Sequence, residues 1–382
     1  MSTSMLPVDR VDFPSDDSTE PAGDEVVTVA ALRQFTLHRL LAYGVEAGDA
    51  LRLLELAGRG RSWERSALSL ADLVLARLKE PDTRASAPAS AELRLRASAL
   101  QRISQVMKLG NAPERRAAYA AASAHFEEAR RLDQRYEHVV IDTCGGPVAA
   151  WVITPQGTEP SPVALVHGGV DGWSMDWEGL ALALVKEGIT AVVLDGPGQG
   201  ETRFVHEHFL SPRWLDAYEQ VCDFLVGRAD GMPVGAVGNS MAAGLVMLIA
   251  SRYPVFAAVC SNGPVVSMSA QLQRRTYARK LAAFCGDNPP GHEVHSTFDS
   301  MELTTDRLTL TCPFLLLQGD EDPMVPVADG ERLLAAVPSP DKRMVLFEGG
   351  EHVINRYPAD KHHVISTWLR ARLLDPAALS RP

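Results

Sequence analysis

From Tyr136 onward the chain repeats one pattern: a short run rich in Val, Ile and Leu, closed by a Gly turn, then a stretch whose apolar residues recur at helical spacing. Strands buried on both faces read as near-continuous apolar runs, and parallel neighbours need a long crossover that a helix supplies. The pattern predicts an α/β fold with a mostly parallel eight-stranded sheet. Strands are expected at HVVIDT, VAAWVIT, VALVHGG, AVVLDG, VGAVGNS, AAVCSNG, FLLLQGD and MVLFEGG. The first two are joined around Gly145 and Gly146 as an antiparallel hairpin. No internal repeat at the period of a solenoid or propeller is visible.

Residues 26–135 have a different grammar. Apolar positions three and four apart in ALRQFTLHRLLAYG, DALRLLELAG, ALSLADLVLARLKE, ELRLRASALQRISQVMKLG and ERRAAYAAASAHFEEARRL predict an N-terminal helical cap module of four or five segments. Gly44, Gly58 and Gly110 stand where helices should stop, and Asp49 is placed to cap the helix after it. EPDTRASAPAS, residues 80–90, has the composition of an internal loop. Residues 1–25, acidic and without periodicity, are expected to be a disordered tail. Residues 136–382 form the catalytic domain of this division, with a helical insertion at about 265–305 near the mouth of a pocket.

The strongest local signal is VGAVGNSMAAGLVMLIA: a strand, then Gly238-Asn239-Ser240-Met241-Ala242, then a helical apolar run. A Ser held at a sharp strand-to-helix turn tolerates only small residues two before and two after it, and Gly238 and Ala242 meet that demand. The turn sets the Ser oxygen above a helix N-terminus and offers the Met241 N–H as an oxyanion donor. Ala242 stands where the commonest form of the motif has a second Gly.

A Ser nucleophile needs a base, and the base needs an orienting carboxylate. FLLLQGDEDPMVP supplies Asp322 and MVLFEGGEHVINRYP supplies His352, each after an apolar run and a Gly turn, in the chain order Ser, acid, His. Asp320, at the strand end itself, is the rival acid and reads more readily as a turn residue. His206, His208, His292, His295, His362 and His363 lack the strand-then-loop context, and His292 with His295 is too thin a pair for a metal site.

VALVHGGVDGWSMDW ends a strand at His167-Gly168-Gly169, where the N–H of Gly169 or Val170 is the second oxyanion donor and His167 is structural. Asp171 and Asp176 follow on the same loop, each either an assisting acid that handles a substrate proton or a solvated loop charge. Asp195-Gly-Pro-Gly-Gln-Gly200 lacks the third Gly of a dinucleotide fingerprint and reads as a tight turn near the site. Trp173, Trp177, Trp214, Phe204, Phe209 and Tyr277 are aromatics for either a pocket or the core.

Composition narrows the partners. Lys and Arg number 37 against 48 Asp and Glu, a net charge of −11 that disfavours nucleic acid and anionic membrane surfaces. No apolar run reaches the roughly 18 residues of a membrane span. The first residues are acidic where a secretory signal is basic. The five cysteines leave one over in any pairing, which points to reduced thiols and a cytoplasmic protein. A small-molecule substrate is the partner implied, with no cofactor and no metal; a homodimer is one assembly open to the chain.

From about residue 136 to 374 the ordered segments HGG, DGPGQGE, GNSMA, GDEDPMVP and GGEH resemble the α/β-hydrolase family. With the helical module and the HGG-x-D loop, the chain looks like the branch of dihydroxypseudooxynicotine hydrolase, the fungal polyketide-shortening hydrolases and relatives of the fermentation-respiration switch protein. The resemblance implies a Ser-His-Asp hydrolase whose helices help cover the pocket, in a branch where some members cleave a carbon–carbon bond beside a ketone instead of an ester. The expected function is hydrolysis through an acyl-enzyme of an aromatic or polyketide-like small molecule. An acyltransferase or cyclase, and a non-catalytic binding protein on the same fold, are the alternatives.

Overall fold

A computed structural model describes residues 23–157 and 160–375. Its sheet has eight strands: β1 (Tyr136–Thr143), β2 (Gly146–Ile153), β3 (Val163–His167), β4 (Thr190–Asp195), β5 (Val234–Asn239), β6 (Phe256–Asn262), β7 (Phe314–Gly319) and β8 (Lys342–Phe347). The spatial order is β1-β2-β4-β3-β5-β6-β7-β8. β1 and β2 form the antiparallel hairpin, β2 is antiparallel to β4, and every other pairing is parallel. Each residue of β3, β4, β5 and β7 is buried, the reason these strands read as unbroken apolar runs. The edge strands β1 and β8 are largely open to solvent.

Among the described residues seven α-helices precede the sheet: α1 (Gly23–Gln34), α2 (Leu37–Ala42), α3 (Ala47–Gly58), α4 (Trp63–Ala76), α5 (Pro81–Ala85), α6 (Ala87–Ser104) and α7 (Pro113–Arg130). The module is thus more finely divided than the four or five segments expected. Thr36 interrupts the first apolar run by capping α2, its hydroxyl accepting from Arg39 N. Residues 80–90 are mostly helical and not a loop, because Pro81 and Pro88 occupy the first turns of α5 and α6, where a missing N–H costs nothing. Asp49 does not cap α3; Glu46 does, accepting from Gly48 N and Asp49 N, while Asp49 receives both arms of the Arg96 guanidinium. Of the expected tail, residues 1–22 lie outside the described residues, and Gly23–Glu25 open α1.

Within the sheet domain α8 (Glu178–Lys186) links β3 to β4, α9 (Gly200–Phe204) and α10 (Ala217–Ala229) lie between β4 and β5, and α11 (Met241–Arg252) follows β5. α12 (Arg275–Ala282) and α13 (Gly291–Asp299) fill the insertion, α14 (Val327–Ala336) precedes β8, and α15 (Pro358–Leu373) closes the described chain. Alternate strand residues serve opposite faces. Val192 and Leu194 join the core under α10 and α11, whereas Ala191 and Val193 join that under α8 and α15. The cap has a third core of its own, from Ala31 to Val106. α7 bridges cap and sheet: it lies along α6, with Ser98 Oγ donating to Ala122 O, while Tyr119, Ala122 and Phe126 pack into the α8–α15 core, with the Tyr119 ring 4.9 Å from Trp173 and Phe126 5.2 Å from Trp151. Among the described residues no helix is long and apolar enough to cross a membrane.

Candidate active site

β4 and β5 flank β3 on opposite sides, so the chain reverses direction across the sheet at β3, and the loops after β3 and β5 frame a crevice at their carboxyl ends. Ser240 sits there with φ 58° and ψ −121°, between β5 and the first turn of α11. A non-glycine residue at positive φ is strained by about 1–3 kcal/mol and persists only where its surroundings enforce it. Here Ser240 N donates to Asn262 O at 2.9 Å and Ala243 N to Ser240 O at 3.0 Å. The turn is tight enough that a Cβ on Gly238 would lie 2.1 Å from Ala242 O, so glycine is required two residues before the Ser.

Three side chains meet in line. Ser240 Oγ is 2.8 Å from His352 Nε2, and His352 Nδ1 is 2.8 Å from Asp322 Oδ2. The other Asp322 oxygen accepts from Met324 N at 2.8 Å and Val325 N at 3.0 Å, and the side chain has no exposed surface. A carboxyl so held is fixed in direction, with Oδ2 placed to accept from His352 Nδ1, which leaves Nε2 facing the Ser240 hydroxyl. Asp320 is exposed and is turned away to bond Gly349 N. After His352 the backbone takes positive φ at Val353 and Ile354. Lys361 Nζ, from α15, donates to Val353 O at 2.9 Å, as does Asn262 Nδ2 at 3.2 Å. Burial pushes the Lys361 ammonium down to about 8.

The loop after β3 closes on the Ser. A Cβ on Gly169 would fall 2.7 Å from Ser240 Cβ, so only a bare backbone fits beside Ser240. Val170 and Gly169 both line the cavity with Ser240. His167 is fully buried with Nε2 2.6 Å from Tyr218 Oη, and burial lowers it to about 4, so it is neutral at pH 7. The Asp195–Gly200 turn lies against this loop. Asp195, pushed up to about 6 by burial, accepts from Ser174 N and Glu201 N, and the Gln199 side chain reaches the Gly168 and Gly169 carbonyls.

Ser240 and His352 open into a cavity of about 430 Å³, roofed by residues 33–43 of the cap. Of the aromatics weighed from sequence, Trp177 and Tyr277 line it, while Trp173, Phe204 and Trp214 are buried in the cores. The two loop acids part company. Asp176 is away from the cavity, its Oδ1 2.6 Å from Arg102 Nε of α6 and its Oδ2 bonded to Trp173 N. Burial, only partly offset by Arg102, raises its carboxyl. Asp171 does line the cavity and is held by Gln34 Nε2 at 3.0 Å, Arg39 Nη2 at 2.8 Å and Lys280 Nζ. Burial alone would raise Asp171, but Lys280 and Arg39 outweigh it and hold the group well below the usual carboxylate range. Gln34, Arg39 and Lys280 carry no motif; the sole trace in the sequence is a polar residue on a helix that otherwise packs.

Comparison with known proteins agrees with the fold. Residues 159–309 and 285–356, together more than half the chain, match the family described as Serine aminopeptidase, S33. The 2,6-dihydropseudooxynicotine hydrolase of Paenarthrobacter nicotinovorans is 22% identical over 62% of this chain. The match spans 64% of that relative, less than two thirds of its length. A monoacylglycerol lipase of Mycolicibacterium smegmatis is 24% identical over 63% of this chain and 98% of its own. In structure the chain is similar to 2,6-dihydroxy-pseudo-oxynicotine hydrolase, with a TM-score of 0.77 at 21% identity over 89% of this chain and 97% of that one. Wild-type AbyA5 follows with a TM-score of 0.69 at 22% identity over 92% and 99% of the two chains. With the fold, the crevice at the β3 switch point and the matched span in hand, the chain belongs to the Serine aminopeptidase S33 family of α/β-hydrolases.

Proposed function

We propose that the protein is a serine hydrolase in which Ser240 is the nucleophile, His352 the base and Asp322 the orienting acid. The observation that carries this reading is the unbroken chain of hydrogen bonds from Ser240 Oγ through His352 to a fully buried Asp322, at the floor of a cavity. His352 takes the Ser240 proton as Oγ attacks a carbonyl carbon, and Asp322 stabilises the imidazolium that forms. Met241 N–H, with that of Gly169 or Val170, holds the oxyanion. His352 then protonates the leaving group, and water releases the acyl-enzyme by the same steps in reverse order.

The bond cut is an ester or a carbon–carbon bond beside a ketone, in a small molecule with an aromatic or polyketide-like body. Trp177, Tyr43, Tyr277, Val170 and Met324 give the cavity walls suited to such a body. In this reading Asp171 and Asp176 anchor the cap rather than carry protons, since each is engaged by cap or insertion cations. The five cysteines are free, which supports a reducing, cytoplasmic setting. Treating the protein and its Ser240→Ala variant with a fluorophosphonate, then weighing both by intact mass spectrometry, tests the assignment. Adduct on the wild type alone is expected; adduct on the variant, or on neither, would overturn it.

A further inference from the structure

Around Asp171, on the cavity wall and in the layer of side chains behind it, cations outnumber the acid. Arg39 and Lys280 both pair with Asp171, and Arg115, buried at 2% exposure, is within electrostatic reach of the same carboxylate. Arg203, also 2% exposed, lies behind Arg115. Neither Arg115 nor Arg203 has a carboxylate bonded to it among the described residues. Arg115 Nε donates to Gln105 Oε1 and its Nη1 to Gly110 O, while Arg203 Nε donates to Asn111 Oδ1 and its Nη2 to Gly110 O. Burial without a counter-ion lowers Arg115 to about 10. Buried cations are rare unless paired, because desolvation costs several kcal/mol that carbonyl acceptors only partly return. Two cations paired with the single carboxylate of Asp171, and a third within its electrostatic reach, leave a net positive charge beside the apolar cavity.

Of these cations, Arg39 lines the cavity. Its guanidinium stacks 4.3 Å over the Phe35 ring, and beside its short bond to Asp171 it makes only long ones, 3.3 Å to Gln34 O and 3.4 Å to Tyr43 Oη. Long neutral bonds are readily exchanged for a charged acceptor, which is held about twice as strongly. At the rim the Arg356 guanidinium pairs with Glu321 and its backbone N–H donates to Glu351; with Arg33 the rim carries two cations against two acids, which leaves the sign at Asp171 unchanged.

We propose that the substrate is an organic anion, carrying a carboxylate away from its scissile carbonyl, and that Arg39 receives this carboxylate inside the cavity. The proposal rests on the hydrolase reading of Ser240 and adds a substrate class to it. Arg39 acts in specificity; the reacting atoms are left to Ser240, His352 and the backbone donors.

Two fluorophosphonates of equal tail length test it, one tail ending in a carboxylate and the other in its methyl ester. The second-order rate of Ser240 labelling is followed by intact mass. The carboxylate probe is expected to react faster by about tenfold or more, with the preference lost in Arg39→Gln, largely kept in Arg39→Lys, and reduced by added salt. Equal rates, a faster ester probe, or an undiminished preference in folded Arg39→Gln overturn the proposal. If Arg39→Gln does not fold, the salt dependence of the wild-type preference decides, and a salt-independent preference counts against it. Labelling by neither probe overturns the hydrolase reading itself, and this proposal with it.

Discussion

Gln199 Nε2 donates to Gly169 O at 2.7 Å and, from the same nitrogen, to Gly168 O at 2.9 Å. In a trans peptide the C=O and the following N–H point in opposite directions, so fixing these two carbonyls fixes the N–H groups of Gly169 and Val170. Those are the donors the loop offers beside Ser240. The Gln199 Oε1 atom is buried and has no partner among the described residues, so the hydrogen bonds of this amide all serve the loop.

Replacing Gln199 by Leu should therefore lower kcat by roughly 10–100-fold with little change in KM, since misdirected donors cost most in the transition state. Gln199→Glu keeps the shape but presents acceptors to two carbonyls and should be at least as damaging. Steady-state kinetics on an aryl ester reads both, and a change confined to KM would contradict the role.

The two neighbouring acids give a sharp contrast. Asp322→Asn removes the group that holds the His352 tautomer, and kcat should fall by about 10³–10⁴-fold while the fold survives. Asp320→Asn touches only an exposed bond to Gly349 N and should leave kcat within about twofold. Reversed effects in the same assay would move the triad acid to Asp320.

Arg102 and Asp176 tie the cap to the sheet domain with side chains only 6% and 4% exposed. Asp176→Asn strands a buried guanidinium and should cost about 3–5 kcal/mol, whereas an Arg102→Met, Asp176→Leu double change should recover much of the loss. Urea unfolding of the wild type and the two variants checks both expectations.

Lys361 titrates near 8 in the fold against 10.5 for a free lysine. Between those values the unfolded chain binds the extra proton, so the contribution of this group to unfolding free energy rises with pH, is complete above 10.5, and is lost as pH falls through about 8. Lys361→Met should flatten that rise and be at least as stable at about pH 7. It should still lose severalfold in kcat, because the backbone after His352 loses the ammonium bonded to Val353 O. Denaturant melts at several pH values, paired with kinetics, separate the two effects.

The sheet was legible because its inner strands are buried on both faces, which writes each as a continuous apolar run. The meeting of Ser240, Asp322 and His352 was legible because each follows such a run and their order is constrained. The cap was read too coarsely: α2 and α5 are short, and what separates them from their neighbours is a Thr36 cap and two prolines, signals weaker than periodicity. Asp49 is the favoured N-cap type, but α3 begins before it at Ala47, so Glu46 takes the cap and Asp49, in the first turn, meets Arg96. The partners of Asp171 were invisible for a related reason. Arg39 precedes it by 132 residues, and nothing local marks an arginine that will meet a distant loop.

The placement of α7 bears on how this protein can be taken apart. Tyr119 and Phe126 lie against Trp173, Phe204 and Trp151, so a chain started at Tyr136 would present a wet aromatic face where a dry core should be. The transplantable unit begins at Pro113. A chimera that exchanges α1–α6 but retains α7 keeps the sheet covered and changes the roof over Ser240, provided the new cap preserves the face that α6 turns to α7, where Ser98 Oγ donates to Ala122 O.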